Sequence, residues 1–294
     1  MLSNRLTTFT VGLLRYRRRP PLSLTPTMSA AGRGLATEAG GGVLCRRLVG
    51  KVAVVTASTD GIGLAIARRL AAEGAKVVVS SRKEKNVSAT VDKLRADGLD
   101  VRGVVCHVAK ADDRNRLIRE AVDGFGALDI VVSNAAVNPA MGAFLDTTED
   151  EFDKILQVNI KASFLLTREA YPLMRSGGSF TYVSSIGAYQ PFGLIGAYSV
   201  SKTALLGLAK AVAQQSADRQ IRANCVCPGV IRTRFSQPLW QSNEAMTEIC
   251  RLVPAQRIGE PDEIAGVVAF LASDDASYVT GESVVAAGGY FSRL

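Results

Sequence analysis

Tyr198 and Lys202 stand four residues apart in the run AYSVSKTALLGLAKAVAQQ. On a helix that spacing puts both side chains on one face. An ordinary tyrosine titrates near about 10, too high to exchange a proton at neutral pH. A neighbouring ammonium favours the phenolate and lowers that value. Ser185 ends an apolar run 13 residues before Tyr198. A hydroxyl there can bond a substrate oxygen beside the tyrosine and steady charge as it builds. The three residues together suit proton transfer to and from an oxygen. A Tyr-x3-Lys pair by itself describes a surface helix equally well, so the reading depends on its surroundings.

Those surroundings begin at KVAVVTASTDGIGLAIARRL, residues 51–70. A short β-branched run is followed by the turn Thr56-Ala57-Ser58-Thr59-Asp60-Gly61-Ile62-Gly63 and then by an Ala/Leu/Ile/Arg run with helical spacing. Strand, small-residue turn and helix put free backbone N–H groups and a positive helix end against a phosphate. Gly61 and Gly63 allow a ligand close to the backbone. About 20 residues further on, where a dinucleotide site reads the ribose, the next strand ends Ser81-Arg82-Lys83. A carboxylate there would select NAD; a hydroxyl and two cations favour a 2′-phosphate, hence NADP(H). The competing reading is a solvated basic turn.

With these pieces in order, the chain resembles the short-chain dehydrogenases/reductases. The matching residues are the 56–63 turn, Ser133-Asn134-Ala135-Ala136, Asn159, Ser185, Tyr198-x3-Lys202 and Pro228-Gly229, spread over residues about 50–290. Ala57 and Ala136 stand where that family usually has glycine. The resemblance implies an NADPH-dependent reductase of apolar ketones or aldehydes, with retinal a candidate substrate, working as a homotetramer. It implies that Tyr198 exchanges the proton and that Lys202 also holds the nicotinamide ribose. Asn159 would hold a water on the proton path. The 56–63 turn, Val108, Asn134, Pro228, Gly229, Ile231 and Thr233 would contact the cofactor. Phe192 and Ile195, in the apolar loop between Ser185 and Tyr198, are candidates for a substrate wall, with plain loop packing an equal reading.

Short β-branched runs alternate with helical stretches from Lys51 onward. Strands are predicted at 52–56, 76–80, 101–106, 129–133, 179–184, 221–227 and 283–286. Helices are predicted at 61–73, 84–97, 111–125, 149–174, 197–217 and 262–272. Alternation of this kind predicts an α/β fold, a doubly wound parallel sheet of seven strands in one domain over residues 51–294, with its ligand beyond the strand C-termini. The less regular stretch 228–257 reads as a mobile substrate lid.

Composition narrows the function classes. The net charge of +8 resembles a nucleic-acid signal, but residues 1–50 carry eight arginines and one acid, a net of +7, leaving +1 for the rest. A nearly neutral body argues against nucleic acid. No apolar run reaches the length of a membrane span. With one histidine, His107, a histidine-based triad or a zinc site is improbable. It reads either as a spacer near the cofactor edge or as a structural histidine. Five cysteines without a CxxC pair suit core packing in a reducing compartment.

Residues 1–37 hold six arginines, no acid and several prolines, the composition of an organelle transit segment, and 38–50 read as a linker. The chain ends Ser292-Arg293-Leu294, a variant of the peroxisomal Ser-Lys-Leu signal that an import receptor reads. A start at Met28 would remove five of those arginines and leave Arg33. The expectation is mainly peroxisomal protein, with a mitochondrial pool from the longer product. Two other readings stay open: an enoyl-thioester reductase of organellar lipid metabolism, against which the Tyr-x3-Lys spacing counts, and a non-catalytic cofactor sensor on the same fold.

Overall fold

The structure is a computed structural model; it describes residues 36–37, 43–44 and 46–290. The transit segment with Met28, Cys45 and the Ser292-Arg293-Leu294 tail lie outside the described residues. Seven strands form one parallel sheet: β1 (Val52–Val55), β2 (Lys76–Ser81), β3 (Val101–Val105), β4 (Ile130–Ser133), β5 (Ser179–Val183), β6 (Arg222–Pro228) and β7 (Ser283–Ala286). Their order is β3-β2-β1-β4-β5-β6-β7. The α/β, doubly wound reading therefore holds.

Sequence and position agree strand by strand. β1, β4, β5 and β6 are buried along their whole length. β1 and β4 are near-continuous apolar runs because helices cover both faces of the sheet, while β5 and β6 also bury Ser179, Thr181, Arg222 and Asn224. β3 lies at an edge, and after the buried Val101 its positions alternate half-buried and exposed. In the middle, Val54 of β1 pairs with Val78 of β2 and Val131 of β4. Chain direction reverses about β1: β2 and β3 run out one way, then the chain crosses back to β4 on the other side. Such a reversal opens a crevice beyond the strand ends.

The helices are α1 (Gly61–Ala72), α2 (Glu84–Ala96), α3 (Ala111–Phe125), α4 (Glu149–Leu156), α5 (Ala162–Ala170), α6 (Gly196–Gln215), α7 (Asn243–Leu252) and α8 (Pro261–Ala272). Two apolar clusters lie on opposite faces of the sheet. One joins α1, α2 and α8 through Ile66, Leu70, Val91, Val268 and Ala269. The other joins α3, α5 and α6 through Leu117, Ile118, Leu166, Leu205 and Ala209.

Three expectations need correction. The helix predicted over 149–174 is α4 and α5 joined by a π-turn, Gln157–Lys161, and closed by a 3-10 turn, Tyr171–Leu173. The irregular stretch 228–257 contains α7, whose Met246, Ile249 and Cys250, with Val253 just past its end, follow helical spacing. The body of the protein starts before Lys51. Leu48 is fully buried and its N–H donates to the carbonyl of Glu73, while Arg47 makes a two-point ion pair with the buried Glu73 carboxylate. After β7 the chain stays packed as far as Tyr290. The Ala255 N–H donates to the Gly288 carbonyl, and the Tyr290 ring stacks on Phe192 with centroids 6.0 Å apart. The remaining predicted boundaries differ from the observed ones by at most one residue, except that α6 ends at Gln215, two residues before its predicted end.

Candidate active site

The turn after β1 is held from inside. Thr56 and Ser58 are fully buried. The Thr56 hydroxyl accepts from the amides of Asn134 (2.9 Å) and Ala135 (3.1 Å). The Ser58 hydroxyl donates to the Val55 carbonyl and accepts from the Ser80 amide. Both side chains therefore build the turn and do not face a ligand. Asn134 Nδ2 donates to the carbonyls of Thr56 and Ala57, at 3.1 Å each, tying the β4 turn to the β1 turn. Ala57 has φ 51°, the left-handed region where glycine is usual. A Cβ there costs about 1–2 kcal/mol. Gly63 is sealed beneath: a Cβ on it would meet the Ala57 carbonyl oxygen at 2.3 Å.

A cavity of about 380 Å³ runs from this turn to the start of α6. Among the residues expected to bind cofactor, it is lined by Asp60, Gly61, Ile62, Gly63, Asn134, Tyr198, Lys202, Pro228, Gly229, Ile231 and Thr233. Ser185, Phe192 and Ile195 line it too. The first N–H groups of α1 have no partner within the helix, and the residues carrying them face this cavity. A long crevice that begins at a helix N-terminus and ends at a phenol fits a dinucleotide. Thr56, Ser58, Thr59 and Val108 are not among its lining residues; the Val108 carbonyl accepts from Arg114 Nη1. Ser81 is half-buried and Arg82 and Lys83 are exposed, at the end of β2 outside the cavity wall.

At the α6 end, the Ser185 hydroxyl hydrogen-bonds to Tyr198 and accepts from the Gly187 amide at 3.0 Å. Lys202 Nζ lies 5.4 Å from the centre of the Tyr198 ring and donates to the Val183 carbonyl at 2.7 Å. Two of its three N–H bonds remain for a ligand. The Lys202 carbonyl accepts from the Ser184 hydroxyl at 2.8 Å, pinning α6 to the end of β5. The expectation of a lowered tyrosine pKa does not hold for the chain alone. Burial pushes the Tyr198 phenol up, and the Ser185 bond offsets this only in part. Burial also lowers Lys202 to about 8.

Asn159 sits in the π-turn, almost fully buried. Its amide clamps Val137 at both ends: Oδ1 accepts from the Val137 N–H (2.8 Å) and Nδ2 donates to the Val137 carbonyl (3.0 Å). The second Nδ2 hydrogen goes to Ser201 Oγ. Ser201 in turn donates to the Tyr198 carbonyl. His107 is half-buried: its backbone N–H donates to Asp113, and its Nδ1 accepts from the Ala109 amide. Burial, with Lys154 and Arg82 nearby, holds its pKa below the usual value.

Sequence reasoning missed Asn138, Met141 and, in the 228–257 stretch, Arg234, Phe235 and Leu239, which also line the cavity. The Phe235 ring lies 5.8 Å from that of Tyr198, and Arg234 pairs with Asp60 at 3.0 Å. Two adjacent residues thus reach both ends of the crevice. The aromatic residue two positions after Thr233 was the one available signal; Asn138 and Met141 gave none.

Lys202 carries a stability consequence. Its cation is disfavoured in the folded chain, so the cost is full below about pH 8 and fades as pH rises toward the unfolded value near about 10.4. Lys202→Met should therefore stabilise the cofactor-free protein by about 1–3 kcal/mol at pH 7, with the gain shrinking above pH 8. Denaturant melts across pH 6–10 measure this, and a gain that grows with pH would contradict it.

The family profile described as enoyl-(acyl carrier protein) reductase matches residues 56–291. Dehydrogenase/reductase SDR family member 4 of Sus scrofa is 58% identical over 252 residues, covering 84% of this chain and 89% of that protein. Among solved structures, a short-chain dehydrogenase/reductase from Serratia marcescens aligns with a TM-score of 0.78 at 35% identity, covering 83% of this chain and 99% of the other. A blue fluorescent protein from a metagenomic library, in complex with NADPH, aligns with a TM-score of 0.78 at 32% identity, covering 84% and 100%. Agreement of this extent, in sequence and in backbone alike, places the chain: it belongs to the short-chain dehydrogenase/reductase family.

Proposed function

We propose that this oxidoreductase reduces apolar ketones and aldehydes to alcohols with NADPH, reversibly, and that retinal is among its candidate substrates. The observation that carries the reading is the Ser185–Tyr198–Lys202 cluster at one end of a largely apolar crevice. A bound nicotinamide supplies the hydride. Tyr198, kept protonated by burial, gives its proton to the forming alkoxide, and Ser185 donates to the same oxygen. Lys202 holds the ribose hydroxyls with its remaining N–H bonds and favours the phenolate that is left. Both N–H bonds of Asn159 are engaged, so a relay water at this residue would donate to the free lone pair of its Oδ1.

The choice of NADP(H) rests on Arg82 and Lys83 at the end of β2, with no carboxylate beside them. Asp60, Gly61, Ile62 and Gly63 would seat the pyrophosphate, with Ser81 beside the 2′-phosphate and Asn134 at the adenosine ribose. Pro228, Gly229, Ile231 and Thr233 would flank the nicotinamide. Phe192 and Ile195 would wall the substrate. The enoyl wording of the matching profile keeps enoyl-thioester reduction as a second reading; the spacing of four between Tyr198 and Lys202 counts against it. The exposed Phe164 and Val200, on α5 and α6, support assembly as a homotetramer. A light-scattering mass of one chain would remove that proposal.

Three outcomes test the reading. Tyr198→Phe should retain NADPH binding, read by its fluorescence, and lose about 10²–10⁴-fold in kcat on a ketone panel that includes retinal. Near-normal turnover would point to another acid, and turnover of enoyl-thioesters alone would favour the second reading. Arg82→Ala should weaken NADPH by about 10-fold or more and leave NADH nearly unchanged; equal losses would sink the NADP assignment. The tail Ser292-Arg293-Leu294 supports a peroxisomal address, and the arginine-rich leader a smaller mitochondrial pool. A fluorescent protein fused ahead of Met28 should mark peroxisomes and disperse when Leu294 is deleted; retention after the deletion would refute the role of the tail.

A further inference from the structure

The 228–257 stretch carries a cation to the end of the crevice where α1 begins. Arg234 lines the cavity, and its Nη2 lies 3.0 Å from Oδ2 of Asp60. The other oxygen of that carboxylate, Oδ1, accepts from the Gly61 amide at 2.9 Å, at the N-terminus of α1. One carboxylate thus spans a guanidinium and the first N–H of a helix. Those are two donors that a phosphate recruits.

The backbone that carries Arg234 is anchored on both sides. Before it, Thr233 packs on the phosphate turn: a Cβ on Gly61 would meet Thr233 Cγ2 at 3.1 Å. After it, the Phe235 ring lies 5.8 Å from that of Tyr198. The side chain itself is open to water. Arg234 is 80% exposed in this pair and Asp60 57%. An ion pair so exposed adds little to stability, so fold alone gives no reason for a guanidinium here. Such a group has five N–H donors, more than one carboxylate oxygen can use. The Asp60 carboxylate also has the sign of a diphosphate. Without a cation beside it, it would repel a diphosphate from the helix end.

We infer that Arg234 is a cofactor-binding residue: its guanidinium turns from Asp60 to the diphosphate bridge of the dinucleotide and completes the anion site that the first turn of α1 begins. The inference rests on the dinucleotide reading of the crevice and not on the carbonyl substrate. The part given to Arg82 concerns the 2′-phosphate alone. A contact with the diphosphate serves NADPH and NADH alike. Asp60 then competes with the ligand for Arg234, so the two members of one ion pair have opposite effects on affinity.

Calorimetric titrations with NADPH, NADH and ADP-ribose, which lacks the nicotinamide, test this on wild type, Arg234→Met, Asp60→Asn and the double variant. Asparagine keeps the N-cap of α1. Arg234→Met should weaken all three ligands by a similar factor, about 10-fold. Asp60→Asn should tighten them by about 2–5-fold. The double variant should bind about 10-fold more weakly than Asp60→Asn. If the pair only fastened the 228–257 stretch, either single substitution would break it and both would weaken binding. If Arg234 only masked Asp60, its loss would cost nothing in the Asp60→Asn background. Either result overturns the inference, as does an unchanged ADP-ribose affinity in Arg234→Met or a loss confined to NADPH. Arg234→Gln repeats the measurement should Arg234→Met fail to fold. Wild type that binds none of the three ligands fails the dinucleotide reading. Wild type that binds them with no effect of Arg234 fails the inference alone.

Discussion

Thr56 and Asn134 hold each other at the centre of the sheet. The Thr56 hydroxyl accepts two amides from the β4 turn, and the Asn134 side chain donates back to two carbonyls of the β1 turn. Parallel strands end on one rim, and the backbone groups there have lost their ladder partners. Left unpaired under cover they would cost about 1–3 kcal/mol each. The reciprocal bonds satisfy them and fix the distance between the two turns. The first turn of α1 then stands at one end of the crevice and the Asn134–Asn138 segment along its side. The left-handed Ala57, which alone would be strained, is kept in place by the same contacts.

The chemistry stands on a second constraint, the burial of groups that water would otherwise solvate. Tyr198 and Lys202 are both enclosed, and enclosure pushes their pKa values apart, the phenol up and the ammonium down to about 8. Burial thus works against the charged form of each group. Positioning is equally local. The β5 end holds α6 through Ser184 and the Lys202 carbonyl, while Lys202 itself reaches back to Val183. The π-turn brings Asn159 to a place where it serves Val137 and Ser201 at once.

Much of this was legible in the chain. The valine-rich cores of β1 and β2 could be little else than buried parallel strands, and the alternation with helices gave the sheet its class. Tyr198, Lys202 and Ser185 were legible because spacing and order carry them. Other features had no local signature. Gln157–Lys161 contains ordinary helix formers, so the π-turn arises from packing. Thr56 and Ser58 read as ligand contacts because small hydroxyl residues in a turn serve a ligand or the turn equally well; only the partners decide. α7 did carry a helical spacing, masked by the prolines and the tryptophan before it.

α1 and α8 pack closely through Ala65, Leu70, Ile264, Ala265 and Val268, though nearly 200 residues separate them in sequence. The consequence is one of timing. During synthesis β1, α1 and β2 leave the ribosome early, yet the apolar flank of α1 stays uncovered until α8 has been made. Contacts of such long sequence separation are slow to form and leave sticky surface open meanwhile. The helix at the mouth of the crevice is thus among the first elements to exist and among the last to be secured. A nascent chain halted before residue 261 would have every strand of the crevice except β7 and no firm seat for α1.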